Sequence, residues 1–128
     1  MMNNNLSIRK DWKLIESLIS ENSKILDIGC GEGGLINQLE RNIKAKTSGI
    51  EINPELARKA IAEGLNVTQG NAEKDLDQYS NQSFDYVILS QTLQAMIKPK
   101  DMLLELLRIG GKAIVTIPNF GHWKIRLQ

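Results

Sequence analysis

The 128-residue chain has one cysteine, Cys30, and one histidine, His122. A lone thiol forms no intrachain disulfide, and one His with one Cys supplies no metal-ligand cluster. Aromatic residues are scarce, at 5%. No run approaches the ~18 apolar residues of a membrane span. The start MMNNNLSIRKDW lacks the apolar stretch of a secretory signal, so a cytoplasmic protein is expected. Charge of one sign is missing as well. A net charge of +1 gives no global field toward nucleic acid or anionic lipid. Lys124 and Arg126 are isolated rather than part of an aromatic-basic array, so neither nucleic acid nor a membrane is expected as a partner.

The hydrophobic fraction of 41% and charged fraction of 24% are those of a globular protein, and the length suits one domain over 1–128. Its N-terminal helical segment is expected within 1–22 and an alternating strand-helix core over 23–128. Ile8, Trp12, Ile15 and Ile19 fall on one helical stripe, widened by Leu14 and Leu18, which predicts an amphipathic helix from Ile8 to Ser20. KILDIG then reads as a buried strand feeding a tight turn. A helix follows from about Gly33, with Leu35, Ile36 and Leu39 toward the sheet, and KTSGIEI is a second strand ending at Glu51.

Asn53-Pro54 opens the next helix as N-cap and first helical residue, and Gly64 closes it. LNVTQG is a short third strand, and NAEKDLDQYSNQS is a polar connection. FDYVILS is the strongest strand signal, being aromatic and β-branched. PKDMLLELLRI is helical, Gly110-Gly111 turns the chain, and KAIVTIP is a fifth strand. Alternation of this kind predicts an α/β fold, an open and mostly parallel sheet flanked by helices.

In such a sheet ligands bind at the carboxyl ends of the strands, where strand order reverses. The first strand ends in GCGEGG, in which Gly29, Gly31 and Gly33 or Gly34 permit positive φ and close approach of a ligand. Read literally this is a dinucleotide fingerprint, and an NAD-binding protein is one reading of it. Strand two ends in Glu51, twenty residues after Gly31, where an acid accepts from a ribose diol. Strands three and four end in Gly70-Asn71 and Ser90-Gln91. Asp27 and Glu32 oppose a pyrophosphate, each close charge pair costing about 4 kcal/mol at an effective dielectric of 20. They favour a ligand with a cationic end. S-adenosylmethionine carries an ammonium and a sulfonium beside an adenosine and has no phosphate.

ILDIGCGEGG resembles motif I of the class I S-adenosylmethionine-dependent methyltransferases, GIEINPE their ribose-binding motif, GNAEKDL the adenine-side loop, FDYVILSQTLQ motif IV and LLRIGGKAIVTIPNFGHW the fifth-strand motif. SQTLQA together with PNFGHWKIRLQ is similar, more particularly, to the MetW family of methionine-biosynthesis proteins. The resemblance runs from about Lys24 onward and implies a Rossmann-like methyltransferase fold holding S-adenosylmethionine or S-adenosylhomocysteine. By matching position, it places Asp27, Gly29, Cys30, Gly31 and Gly33 around the methionyl part. Glu51 falls at the ribose, Ile52 beside the adenine, Asn71 and Ala72 at the adenine edge, and Ser90 at the rim of the seat. Asn71 departs from the aspartate common there, yet its amide still accepts from the adenine amino group. The family is associated with a homoserine O-acyltransferase, MetX, which becomes the expected partner.

Relatives continue into an antiparallel strand pair, whereas five strands are counted here. The sheet is therefore expected to be truncated after its fifth strand. Ala113 to Ile117 would then lie near an exposed edge, and the chain is expected to be a fragment, a truncated gene or one that self-associates through that edge.

No catalytic residue is identified. Motif IV reads Ser90-Gln91-Thr92 rather than the acid-or-Asn, Pro-Pro, aromatic pattern of base and glutamine methylation. Ser90, Gln91 and Gln94 suit substrate orientation and suit plain capping about equally. His122 is most simply a packed loop histidine, and Cys30 a small buried filler. Two functions from different classes stay open: a S-adenosylmethionine-binding support protein for MetX, and a methyltransferase acting on a small molecule.

Overall fold

A computed structural model describes residues 11–90, 97–119 and 122–127. The chain runs through α1 (residues 11–17), β1 (Lys24–Ile28), α2 (Gly34–Ile43), β2 (Lys46–Glu51), α3 (Pro54–Ala62) and β3 (Val67–Gln69). It continues through α4 (Ala72–Asp75), which runs into a 3-10 turn at Leu76–Gln78, then β4 (Phe84–Ser90), α5 (Pro99–Ile109), β5 (Gly110–Asn119) and β6 (His122–Leu127). The sheet order is β3-β2-β1-β4-β5-β6. All neighbours pair in parallel except β6, which is antiparallel to β5. Strand order reverses between β1 and β4, and this is where a ligand crevice is expected.

The pleat sorts β1 to both faces. Leu26 and Ile28 join Met102, Leu106 and Ile109 of α5, while Ile25 joins Ile15 and Ile19 of the N-terminal segment and Leu35 and Leu39 of α2. Ile36, Ala57, Ala60, Leu65 and Val67 close the space between α2, α3 and β3. Asn53 caps α3 as its sequence signals, its Oδ1 accepting from the N–H groups of Glu55 (2.9 Å) and Leu56 (3.3 Å).

Several expectations are corrected. The sheet does not stop at five strands: β6 pairs with β5 from Asn119↔His122 to Ile114↔Leu127. Ile114 to Thr116 therefore has a paired neighbour on each side, β4 and β6, so this run is no exposed edge for self-association. His122 lies at the start of β6 rather than in a loop. Gly110-Gly111 belongs to β5 rather than to a turn, because Gly110 pairs with Phe84 and a Cβ on it would lie 2.5 Å from Val87 Cγ2. The glycine serves close strand contact. Within the polar connection after β3, Asn71 caps the short helix α4. Leu14 is exposed and does not widen the buried stripe of α1. Ile8, Gln91 and Gln94 lie outside the described residues, as does most of SQTLQA.

Along the strand direction, Ile28 is level with Leu89 and Leu89 with Val115, so β5 runs four residues past β1 before it reaches Asn119. The β5-β6 hairpin thus overtops the first strand by about 13 Å.

Candidate functional site

The turn after β1 is held by backbone. The N–H groups of Gly29 and Cys30 both reach Ile50 O, at 2.8 and 3.2 Å, and Gly33 N–H reaches Cys30 O at 3.0 Å. Gly29, Gly31 and Gly33 have φ of 78°, 60° and 88°, which any other residue adopts only with strain. Their surroundings differ. A Cβ on Gly31 would meet nothing within 4 Å, so the loop is open there. A Cβ on Gly33 would lie 2.3 Å from Leu65 Cδ1, so this glycine admits close packing of α2 against the β3 side. Gly34 is similarly crowded by Trp12, 2.5 Å from a notional Cβ, which braces the start of α2 from outside.

Glu51, at the end of β2, is 7% exposed and joins the two halves of the site. Its Oε1 accepts from Gly31 N–H at 2.7 Å and its Oε2 from Asn53 N–H at 2.9 Å. A carboxylate offers about four lone-pair positions, so each oxygen keeps capacity for a hydroxyl donor. Beside it Ile52 is 59% exposed, an apolar side chain at a polar rim. The end of β3 is tied to the same place, since Gly70 N–H donates to Glu51 O and Gln69 Nε2 to Ile52 O. Asn71 and Ala72 follow directly. Asn71 Oδ1 accepts from Glu73 N–H at 3.0 Å, so the oxygen expected at the adenine edge is already capping α4. Ala72 lines a cleft of about 230 Å³ with Leu76 and Met102. Ser90, whose backbone is level with Thr116, ends β4 across the reversal from β1.

Asp27 is the anomaly of the site. It lies in the middle of the sheet between Gly49 and Ile88, 2% exposed, and its Oδ1 has no hydrogen-bond partner among the described residues. Burial, reinforced by the negative charge of Glu51, raises its pKa from 3.8 to about 8. A buried polar atom left unpaired in a folded protein calls for an explanation, and a bound ligand supplies one. Cys30 fills the space that Gly49 leaves, its Sγ 2.7 Å from a notional Cβ there, and burial together with Asp27 and Glu51 raises its pKa to about 12. It is a filler and no nucleophile at neutral pH.

Glu32 departs from its expected role. It is exposed, leans toward α3 and pairs with Lys59 Nζ at 3.3 Å. The electrostatics of the seat thus come down to Asp27 and Glu51. Two contributors escaped the sequence reading. Asp75 Oδ2 accepts from Asn71 N–H at 2.7 Å, and Glu73 Oε2 accepts from the N–H groups of Ile97 (3.0 Å) and Lys98 (3.4 Å). Acids just after an asparagine N-cap were the available signal.

These features fit an adenosyl ligand with a cationic end: an orphaned buried carboxyl, an open glycine turn, an acid with spare acceptor capacity and an exposed aliphatic side chain beside it. The family model described as methionine biosynthesis protein MetW matches residues 9–128. The chain is 30% identical to the bifunctional methionine biosynthesis protein MetXA/MetW of Rhodopirellula baltica, over 94% of this chain and 21% of that protein. It is 29% identical to a ubiquinone biosynthesis O-methyltransferase of Xanthomonas oryzae pv. oryzae, over 76% of this chain and 44% of the relative. It therefore spans less than half the length of these curated relatives. Among solved structures, it resembles a Thermotoga maritima S-adenosylmethionine-dependent methyltransferase, described as a possible histamine N-methyltransferase. That match has a TM-score of 0.71 and 25% identity, covering 91% of this chain and 54% of the other.

Proposed function

The chain belongs to the MetW family, and from that premise we propose that it binds S-adenosylmethionine at the β1-β4 reversal and supports a homoserine O-acyltransferase in methionine biosynthesis. The observation that carries the cofactor half is Asp27, whose unpartnered carboxyl oxygen is buried beside an open glycine turn. Asp27 supplies negative charge near a methionyl ammonium, Glu51 receives the ribose hydroxyls and Ile52 covers one face of the adenine. The partner half rests on the fused relative, in which a MetXA part and a MetW part share one polypeptide.

Calorimetric titration with S-adenosylmethionine and with NAD tests the first half. Binding of the former alone is expected, weakened about tenfold or more in Glu51→Ala as hydrogen bonds to a charged acceptor are lost. Equal affinity of wild type and variant removes the ribose assignment. Co-expression with a homoserine O-acyltransferase tests the second half. Co-purification and a raised acylation rate are expected, and the absence of both removes the partner.

A second reading, methyl transfer to a small molecule, is favoured by the likeness to methyltransferase structures. Incubation with methyl-labelled cofactor and cell metabolites distinguishes the two readings. Transferred label establishes the enzyme, and intact binding without transfer counts against it.

A further inference from the structure

Asp27 sits where a permanent negative charge is hard to keep. It is 2% exposed, its strand neighbours at the same level are Gly49 and Ile88, and Oδ1 receives no donor from the described residues. Among the described residues, the titratable groups that act on it or are acted on by it are Glu51 from β2 and Cys30 from the glycine turn, and neither brings a positive charge. Among the described residues, Lys59 beside the glycine loop is engaged by Glu32 on the outer side. An ionised Asp27 would face Glu51 uncompensated, in a setting where an unpaired buried charge is strongly disfavoured. Glu51, the charge that acts on Asp27, accepts from Gly31 N–H at 2.7 Å, and nothing stands within 4 Å of a notional side chain at Gly31, so the open part of the turn adjoins this pair of acids.

We infer that the cationic end of the ligand replaces a proton on Asp27, so that S-adenosylmethionine binds with release of one proton from the protein. In the step the carboxyl O–H bond of Asp27 breaks, the proton passes to buffer, and the carboxylate left behind is balanced by the ligand's net charge of one, its ammonium and sulfonium less its own carboxylate. Charge in the seat thus stays near its ligand-free value while a cation enters. The inference rests on the cofactor reading above and adds to it a dependence of affinity on pH. With Asp27 raised to about 8 in the free protein, affinity increases close to tenfold from pH 6 to pH 7. The ligand's own α-amino group stays mostly protonated across that interval.

The test is calorimetry of the full chain with S-adenosylmethionine at pH 6 and pH 7, each in two buffers of different ionisation enthalpy. About one proton released per ligand and a tenfold gain in affinity are expected for the wild type. Asp27→Asn, which keeps the shape, is expected to show no release and a flat profile. An infrared difference spectrum offers a readout that does not depend on the variant folding. The protonated-carboxyl stretch of the free protein should vanish on binding. Binding that is flat in pH, releases no proton and leaves that band unchanged overturns the inference while leaving the cofactor reading intact. Absence of binding at both pH values removes the cofactor reading and this inference with it.

Discussion

Asp27→Asn should stabilise the ligand-free protein by an amount that grows with pH. In the folded chain Asp27 keeps its proton until about pH 8, whereas its ordinary value is 3.8. Between those values the folded state holds a proton that the unfolded state has released, so stability falls as pH rises through the window. Each pH unit corresponds to about 1.4 kcal/mol. From pH 4 to pH 7 the accumulated loss is about 4 kcal/mol, large beside the roughly 5–15 kcal/mol of a typical domain. Asparagine has no proton to lose and keeps nearly the same shape, with an amide nitrogen in place of one carboxyl oxygen. Glu105, held below the usual carboxylate range by its hydrogen bonds to Arg108, acts with the opposite sign, but it is present in both proteins and cancels. Urea unfolding of the two proteins at pH 5, 6 and 7 measures the difference. A gap widening by about 1.4 kcal/mol per unit is expected. A gap that is constant with pH refutes the buried neutral acid.

Other perturbations separate the parts of the site. Gly33→Ala puts a methyl into Leu65 at φ 88° and should cost about 2–4 kcal/mol in denaturant unfolding; a loss under about 0.5 kcal/mol would mean the turn has room to relax. Glu32→Gln should leave S-adenosylmethionine affinity within about twofold, because this exposed acid pairs with Lys59 away from the seat. A tenfold loss would return it to the site. Arg108 joins α5 to the segment after α4 through Leu76 O (3.0 Å) and Tyr79 O (2.8 Å), so Arg108→Ala should lower stability by about 1–3 kcal/mol. It should also raise amide exchange in residues 76–81, and unchanged exchange would contradict that anchoring role.

The parallel core was legible because each buried strand is a short apolar run closed by glycine or a polar break, and because Asn53-Pro54 and its following helix agree at every level. Even the burial of Asp27 follows from the pleat that puts it on the face of Ile25. The full extent of its protonation does not, since burial is reinforced by Glu51, a strand away and distant in sequence. Glu32 was illegible for another reason. Two successive positive-φ glycines, Gly31 and Gly33, flank it and decide which way it faces, and sequence does not display that turn. β6 is different, because its signal was in plain view. Read for charge, Lys124 and Arg126 are isolated bases; read for period, Trp123 to Leu127 alternates apolar and polar, the pattern of a strand with two unlike faces.

The height of β5 divides this end of the sheet into two levels. Asp27, Gly31 and Glu51 lie at or near the level where β1 ends, four residues below Asn119. On the proposed reading a nucleoside-sized ligand belongs to the lower level, whereas a body as large as another enzyme, approaching along the strands, would be met by β5 and its partner β6 at the level of Asn119. Occupancy by the one would then not exclude the other.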